Sequence, residues 1–355
     1  MRFSVRRAVG VVGAWMLMVG SSCGSDLEQP SQVTTLRILS VVASRPYVEP
    51  GQELTLSMTY HDALGPSPRP IQVTWIGGCL LPPGAPYYAC FPQLEKTVAA
   101  LAGDAAKEPF VHQEIASPER SGVPDAVSFS TKIPLELFDF FGGKKDASED
   151  TADASEPLTA YVFFTACAGQ VRPETADSEA KFPLGCFDED GARVGPDSFV
   201  VGYTEVPIFE DAPVNENPPN DGIEFDGTRL GATPEDAPTV KRCLGGEARD
   251  GGCEGEKSAC QLDIQAMVED VAESDPIASA QTGEPEREGV WVEYFADGGE
   301  LSDSSVVISD ETGEYLQDHS AAWTPPDEAG IVSIWAVVRD TRGGASVARG
   351  FLRVE

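Results

Sequence analysis

Histidine and basic residues are scarce in this chain. Three histidines, His61, His112 and His319, are spread over 355 residues, so a histidine-rich metal centre is excluded. H-E-x-x-H is absent, and the G-x-S-x-G match Gly20–Gly24 lies across the signal junction rather than on a strand-to-helix turn, which removes the zinc-protease and nucleophile-elbow readings. "GGCEGEKS" imitates a phosphate loop, but Glu256 stands where that loop needs glycine, and no strand–helix–strand pattern surrounds it. Only 25 Lys and Arg face 58 Asp and Glu, a net charge of −33. Nucleic acid is excluded as a partner, because binding its phosphates requires cations that displace counterions. A basic patch on anionic lipid is excluded for the same reason. After residue 20 no apolar run approaches the roughly 20 residues that span a bilayer.

What is present begins with an address. Arg2, Arg6 and Arg7 precede the uncharged "AVGVVGAWMLMVG" of residues 8–20, and Gly20, Ser21 and Ser22 lead into Cys23. A basic head, a short apolar centre and small residues describe an export signal. The junction "LMVGSSCGSD" resembles the bacterial lipobox, although Gly20 stands where that family favours Leu. The resemblance covers residues 1–24. It implies cleavage after residue 22 and a diacylglycerol on the Cys23 thiol, giving a membrane partner held through lipid. Two or more acyl chains give stable anchoring where one does not. Gly24, rather than Asp, implies sorting to the outer membrane.

Frequent short alternating runs, with 35 Gly and 28 Pro, predict an all-β protein rich in turns. Leu54, Leu56, Met58 and Tyr60 recur with period two, as do Ile71, Val73 and Trp75, and Val127 and Phe129. "TAYVFFTAC" is apolar on both faces, as a strand covered on two sides must be. Residues 80–126 interrupt the series, and Leu94, Val98 and Leu101 before Gly103 predict one short helix there. The acidic, low-complexity residues 142–157 predict a disordered loop. Residues 23–34 read as a polar tether, 35–209 as a first β-sandwich, 210–221 ("EDAPVNENPPND") as a linker and 222–355 as a second β-sandwich.

"AGIVSIWAVVRDTRGGASVARGFLRV" resembles the closing hairpin of bacterial immunoglobulin-like (Ig-like) and PKD-like domains. "LRILSVVASRPYVEPGQELTLSMTY" resembles the opening strands of the same class. The whole chain resembles uncharacterised surface lipoproteins with tandem Ig-like domains, and that class implies no particular chemistry.

Export permits disulfides. With Cys23 lipidated, Cys79, Cys90, Cys167, Cys186, Cys243, Cys253 and Cys260 remain, an odd number. Met58 occupies the inward row of the second strand, which argues against an antibody-type bridge. In an Ig-like sandwich the Trp75 and Tyr161 strands run antiparallel, placing Cys79 and Cys167 at opposite ends. Local bridges Cys79–Cys90 and Cys167–Cys186 are therefore expected. Cys243–Cys253 is expected across a glycine-rich loop, leaving Cys260 as a buried thiol. Their spacings supply no C-x-x-C pair for zinc. "DEDG" at 188–191 and "DTRGG" at 340–344 are incomplete calcium loops, and Asp340 reads better as a turn residue bonding its own backbone.

The expected function is non-catalytic: a membrane-anchored envelope protein that binds or spaces, with no cofactor beyond a possible calcium ion and an unknown surface protein or glycan as partner. Tyr87, Tyr88 and Phe91, and the loop of Glu314, Tyr315 and Leu316, are the candidate binding residues. The alternatives are an envelope enzyme using paired carboxylates, or a subunit of an envelope assembly.

Overall fold

A computed structural model describes residues 29–64, 69–82, 84–104, 111–116, 127–137, 157–174, 182–244, 260–310, 312 and 314–355. The export signal, Cys23, Cys253 and residues 142–156 of the loop expected to be disordered lie outside these.

The first sandwich contains β1 (Leu36–Ala43), β2 (Glu53–Asp62), β3 (Ile71–Leu81), β4 (Val111–Ala116), β5 (Val127–Lys132), β6 (Leu158–Cys167), the small hairpin β7 (Gln170–Pro173) and β8 (Leu184–Phe187), and β9 (Phe199–Ile208). Its sheets run β1-β2-β5 and β4-β3-β6-β9. The period-two residues of β2 all face the core, with Leu54, Leu56, Met58 and Tyr60 at most 1% exposed. Each such side chain contributes about 1.5–3 kcal/mol by burial. β6 is buried on both faces. Val162 and Phe164 join the inter-sheet core. Tyr161 and Phe163 join a second cluster with Leu94 and Val98 of helix α1 (Phe91–Asp104). The excursion at 80–126 also holds β4, which pairs with β3 from Ile71↔Ala116 to Ile76↔Val111.

The second sandwich contains β10 (Ile223–Phe225), β11 (Thr228–Arg229), β12 (Thr239–Val240), β13 (Leu262–Ala266), helix α2 (Pro276–Thr282), β14 (Val290–Ala296), β15 (Glu300–Leu301), β16 (Ser305–Ser309), β17 (Ala321–Thr324), β18 (Gly330–Asp340) and β19 (Ala345–Val354). Its sheets run β11-β10-β13-β17-β15 and β12-β19-β18-β14-β16. The sequence pattern did not predict α2, which Asp275 caps by accepting from the Ile277 and Ala278 amides at 2.9 Å.

Both domains share one plan once the small added strands are set aside. Main strands one, two and five form one sheet, and four, three, six and seven form the other. That interleaving is the Ig-like sandwich.

The tether and the linker are both more ordered than their composition suggests. Ser31 and Val33 are at most 2% exposed. The Ala296 amide donates to the Ser31 carbonyl and the Val33 amide to the Ala296 carbonyl, each at 2.9 Å. Residues 31–33, the described end of the segment read as a tether, thus dock on the end of β14. In the linker, Asn217 Nδ2 donates to Ala43 O at 2.8 Å, while its Oδ1 accepts from the Ala345 amide at 3.0 Å. Asn220 Nδ2 donates to Ala336 O at 3.0 Å. Val33, Leu39 and Trp335 form a small core between the domains, flanked by Phe295 and Val347.

Candidate functional site

Tyr87 and Tyr88 lie on a tight turn just before α1, which the Cys79–Cys90 bridge pins to β3. β9 is an edge strand whose outer row presents Val201, Tyr203 and Glu205, all exposed. The Tyr87 ring stacks on Tyr203 with centroids 4.6 Å apart and planes 17° apart. Tyr88 meets Tyr87 edge-on at 5.8 Å. Exposures of 38%, 58% and 40% for Tyr87, Tyr88 and Tyr203 make one open aromatic patch. Phe91 sits lower, half-buried, with its ring 6.3 Å from Phe163. Burial raises the Tyr203 and Tyr161 phenols above their ordinary range, with Glu205 adding to the effect. Gly202 faces inward, where a Cβ would lie 2.5 Å from the Phe164 ring, so a side chain there would disturb the strand bearing Tyr203.

Tyr315 does not belong to such a patch. Its hydroxyl donates to Val268 O at 2.9 Å, and its ring packs on the second core and lies 6.1 Å from His319. It orders its own loop, with Glu314 exposed and Leu316 38% exposed beside it.

The bridges are Cys79–Cys90, Cys167–Cys186 and Cys243–Cys260, with Cα separations of 5.8, 5.7 and 5.5 Å. The third corrects the expected Cys243–Cys253 pair and the expected free thiol of Cys260. Cys243 follows the short edge strand β12, and Cys260 sits two residues before β13, so the bridge closes the excursion between them. β3 and β6 run antiparallel with Gln72 opposite Cys167 and Cys79 opposite Tyr161, which separates the first two bridges.

Asp340 Oδ1 accepts from the Arg342 and Gly344 amides at 2.8 Å, a turn that bonds its own backbone. Asp188 Oδ1 likewise accepts from the Ala192 amide at 2.8 Å. Among the described residues no three of His, Cys, Asp and Glu group as they would around a metal.

The buried charge is concentrated elsewhere. Arg342, 5% exposed, places its Nη1 3.5 Å from Glu288 Oε2 and 3.4 Å from Glu273 Oε2. It also donates to Ser274 O at 3.1 Å and to Val214 O in the linker, and lies 5.4 Å over the ring of Tyr47 in the first domain. Burial raises the Asp340 carboxyl and pushes Glu288 up to about 7. A polar cleft of about 520 Å³ opens beside this seam, between Arg45, Tyr47 and Glu49 of the first domain and Val214–Asn217 of the linker. Neither Glu288 nor Asp340 lines it.

The fold and these surfaces define a pair of Ig-like sandwiches with an exposed aromatic patch and an ion-paired seam. No family model matches the chain, and no curated protein matches it. Solved structures similar to this chain include the tandem V-type regions of VCBP3, a v-region-containing chitin binding protein (9% identity, 90% of this chain and 100% of that one, TM-score 0.24). Another is the Escherichia coli alpha-2-macroglobulin (13% identity, 90% of this chain and 16% of that one, TM-score 0.22). A third is the chicken CNTN1 FN1-FN3 domains (11% identity, 92% and 65%, TM-score 0.18). The fold is defined by the strand order itself.

Tyr203, Tyr161 and Glu205 were not among the residues singled out by sequence. The signal was present in "FVVGYTEV", where Val201, Tyr203 and Glu205 share one parity.

Proposed function

We propose that this chain is an exported lipoprotein that holds two coupled Ig-like sandwiches near a membrane, the outer membrane by the Gly24 sorting signal, and works by contact rather than catalysis. The patch of Tyr87, Tyr88 and Tyr203 carries the reading, because aromatic side chains on a rigid scaffold are the usual anchors of an interface. Its partner is a surface protein or glycan. Three disulfides fit an oxidising compartment. No helix among the described residues is long and apolar enough to cross a membrane.

The docked segment limits the reach of this anchor. Eight residue steps separate Cys23 from Ser31, a reach of roughly 28 Å at most. The Ala296 end of β14 is therefore held within that reach of the lipid.

Cys23→Ser is expected to abolish lipid labelling and move the protein from the membrane fraction to the soluble one. Continued retention with detergent-extracted lipoproteins refutes the anchor. Replacing Tyr87, Tyr88 and Tyr203 with Ala is expected to abolish crosslinking to envelope partners while far-UV circular dichroism is unchanged. Unchanged crosslinking assigns binding to another surface.

A further inference from the structure

Two hydrogen bonds fix the direction of the main chain along β9. The Val48 amide donates to Pro207 O at 3.2 Å and the Phe209 amide to Val48 O at 3.0 Å, so residues 207 and 209 turn their main-chain groups away from β6. β9 pairs with β6 in unbroken register from Leu158↔Ile208 to Cys167↔Phe199. That direction alternates along an antiparallel strand, so Val201, Tyr203 and Glu205 also aim their N–H and C=O groups outward. β9 ends its sheet, and among the described residues only Val48 pairs with this edge. Three donors and three acceptors therefore stand in line, open to solvent, from Val201 to Glu205.

Natural sheets blunt such edges with lysine, proline, bulges or shortness. β1 and β16 carry register shifts against their neighbours. β5 carries Lys132, and β11, β12 and β15 are two residues long. The open part of β9 has none of these devices, since Pro207 comes only where Val48 already covers the strand. Its outer row is apolar instead, with Val201 and Tyr203 39% and 40% exposed. Tyr87, stacked on Tyr203, walls this row. Glu205 is the only charged residue of β9.

We propose that the β9 edge accepts an extended basic segment of a partner protein as an added strand, hydrogen-bonded to the main chain of Val201, Tyr203 and Glu205, with its side chains against Tyr203 and Tyr87. The proposal rests on the contact reading above and names the partner class for that patch. A strand-like backbone is the ligand that matches outward N–H and C=O groups repeating every second residue. A sugar stacked on the tyrosines leaves that ladder unmade. Charge selects the sign. Glu205 stands in the row and the chain carries a net −33, so Lys or Arg beside Glu205 is attracted, whereas a second copy of this chain is repelled.

The test is titration calorimetry of the purified mature chain carrying Cys23→Ser. The probes are capped peptides about ten residues long that alternate Lys with Val, Lys with Thr, or Arg with Tyr. Saturable binding of at least one is expected, because main-chain pairing tolerates side-chain variation. N-methylation of every second residue should abolish it in one of the two possible registers, and exchange of Lys or Arg for Glu should abolish it too. Val201→Pro removes one outward donor without touching the ladder to β6, and should weaken binding by about tenfold or more. Glu205→Lys should weaken it severalfold. No saturation with any peptide overturns the proposal, as does equal binding of the acidic peptides. Binding indifferent to both N-methylation registers, or to Glu205→Lys in a folded variant, also overturns it. So does dimerisation of the parent that Val201→Pro abolishes in sedimentation. Crosslinking to envelope partners judges the contact reading separately. Its loss in the tyrosine variant but not in Val201→Pro refutes the edge alone, and peptide binding without tyrosine-dependent crosslinking refutes the envelope role of the patch alone.

Discussion

Arg342→Ala is expected to cost about 3–5 kcal/mol, the usual penalty for removing one partner of a buried ion pair. Without the guanidinium, Glu288 at 1% exposure loses a contact at 3.5 Å, and the linker carbonyl of Val214 and the Tyr47 ring lose their shared cation. Urea unfolding at pH 7.5 measures the effect, and a loss below about 1 kcal/mol shows that the seam is stabilised by packing instead. The acids of this seam impose a pH dependence of known sign. Burial holds Glu288 at about 7 in the folded state, above the ordinary glutamate value of 4.5. Between these values the folded chain keeps a proton that the unfolded chain releases, so this group's contribution to stability falls as pH rises from about 4.5 to 7. Glu288→Gln removes that slope and is expected to be more stable than the parent at pH 8. A variant that is less stable at pH 8, with the slope intact, shows that the Arg342 pairing outweighs desolvation.

The strands were legible wherever one face meets a core. β2 shows this in Leu54, Leu56, Met58 and Tyr60, and the two-sided burial of β6 was equally plain in "TAYVFFTAC". β4 was hidden because "VHQEIA" has no clean alternation, and its Ile115 is 70% exposed. The joints between domains were hidden for a different reason. Asn217 and Asn220 look like linker residues in sequence, yet their amides satisfy carbonyls of β1 and β18. Polar side chains that bond backbone leave no periodic trace. Parity placed Cys260 in the row of Leu262 and Ile264, but it could not show that Cys243 waits at the end of that row. The exposed Tyr87 and Tyr88 were legible beside a Pro-rich turn, whereas Tyr203 and Trp291 sit in strands whose outward faces only the assembled sheets reveal.

Trp335→Ala is expected to separate the unfolding of the two domains. Trp335 pairs with Phe295 on the outward face of the second domain's sheet, yet it is 0% exposed. Its burial comes from Leu39 of β1 and from Val33 of the docked segment. The His61 ring lies 4.8 Å away, and the Arg349 guanidinium lies 5.0 Å over the indole. Truncation leaves a cavity that costs about 3–5 kcal/mol, as large aromatic deletions in cores do. The loss falls on the interface, since the inward residues Ile334 and Ala336 keep their packing in the second core. Scanning calorimetry is therefore expected to resolve two transitions in the variant where the parent shows stronger coupling. Small-angle scattering should show a larger radius of gyration. A single transition with an unchanged radius shows that the remaining contacts, the linker bonds of Asn217 and Asn220 and the Arg342–Tyr47 seam, hold the domains together without the indole.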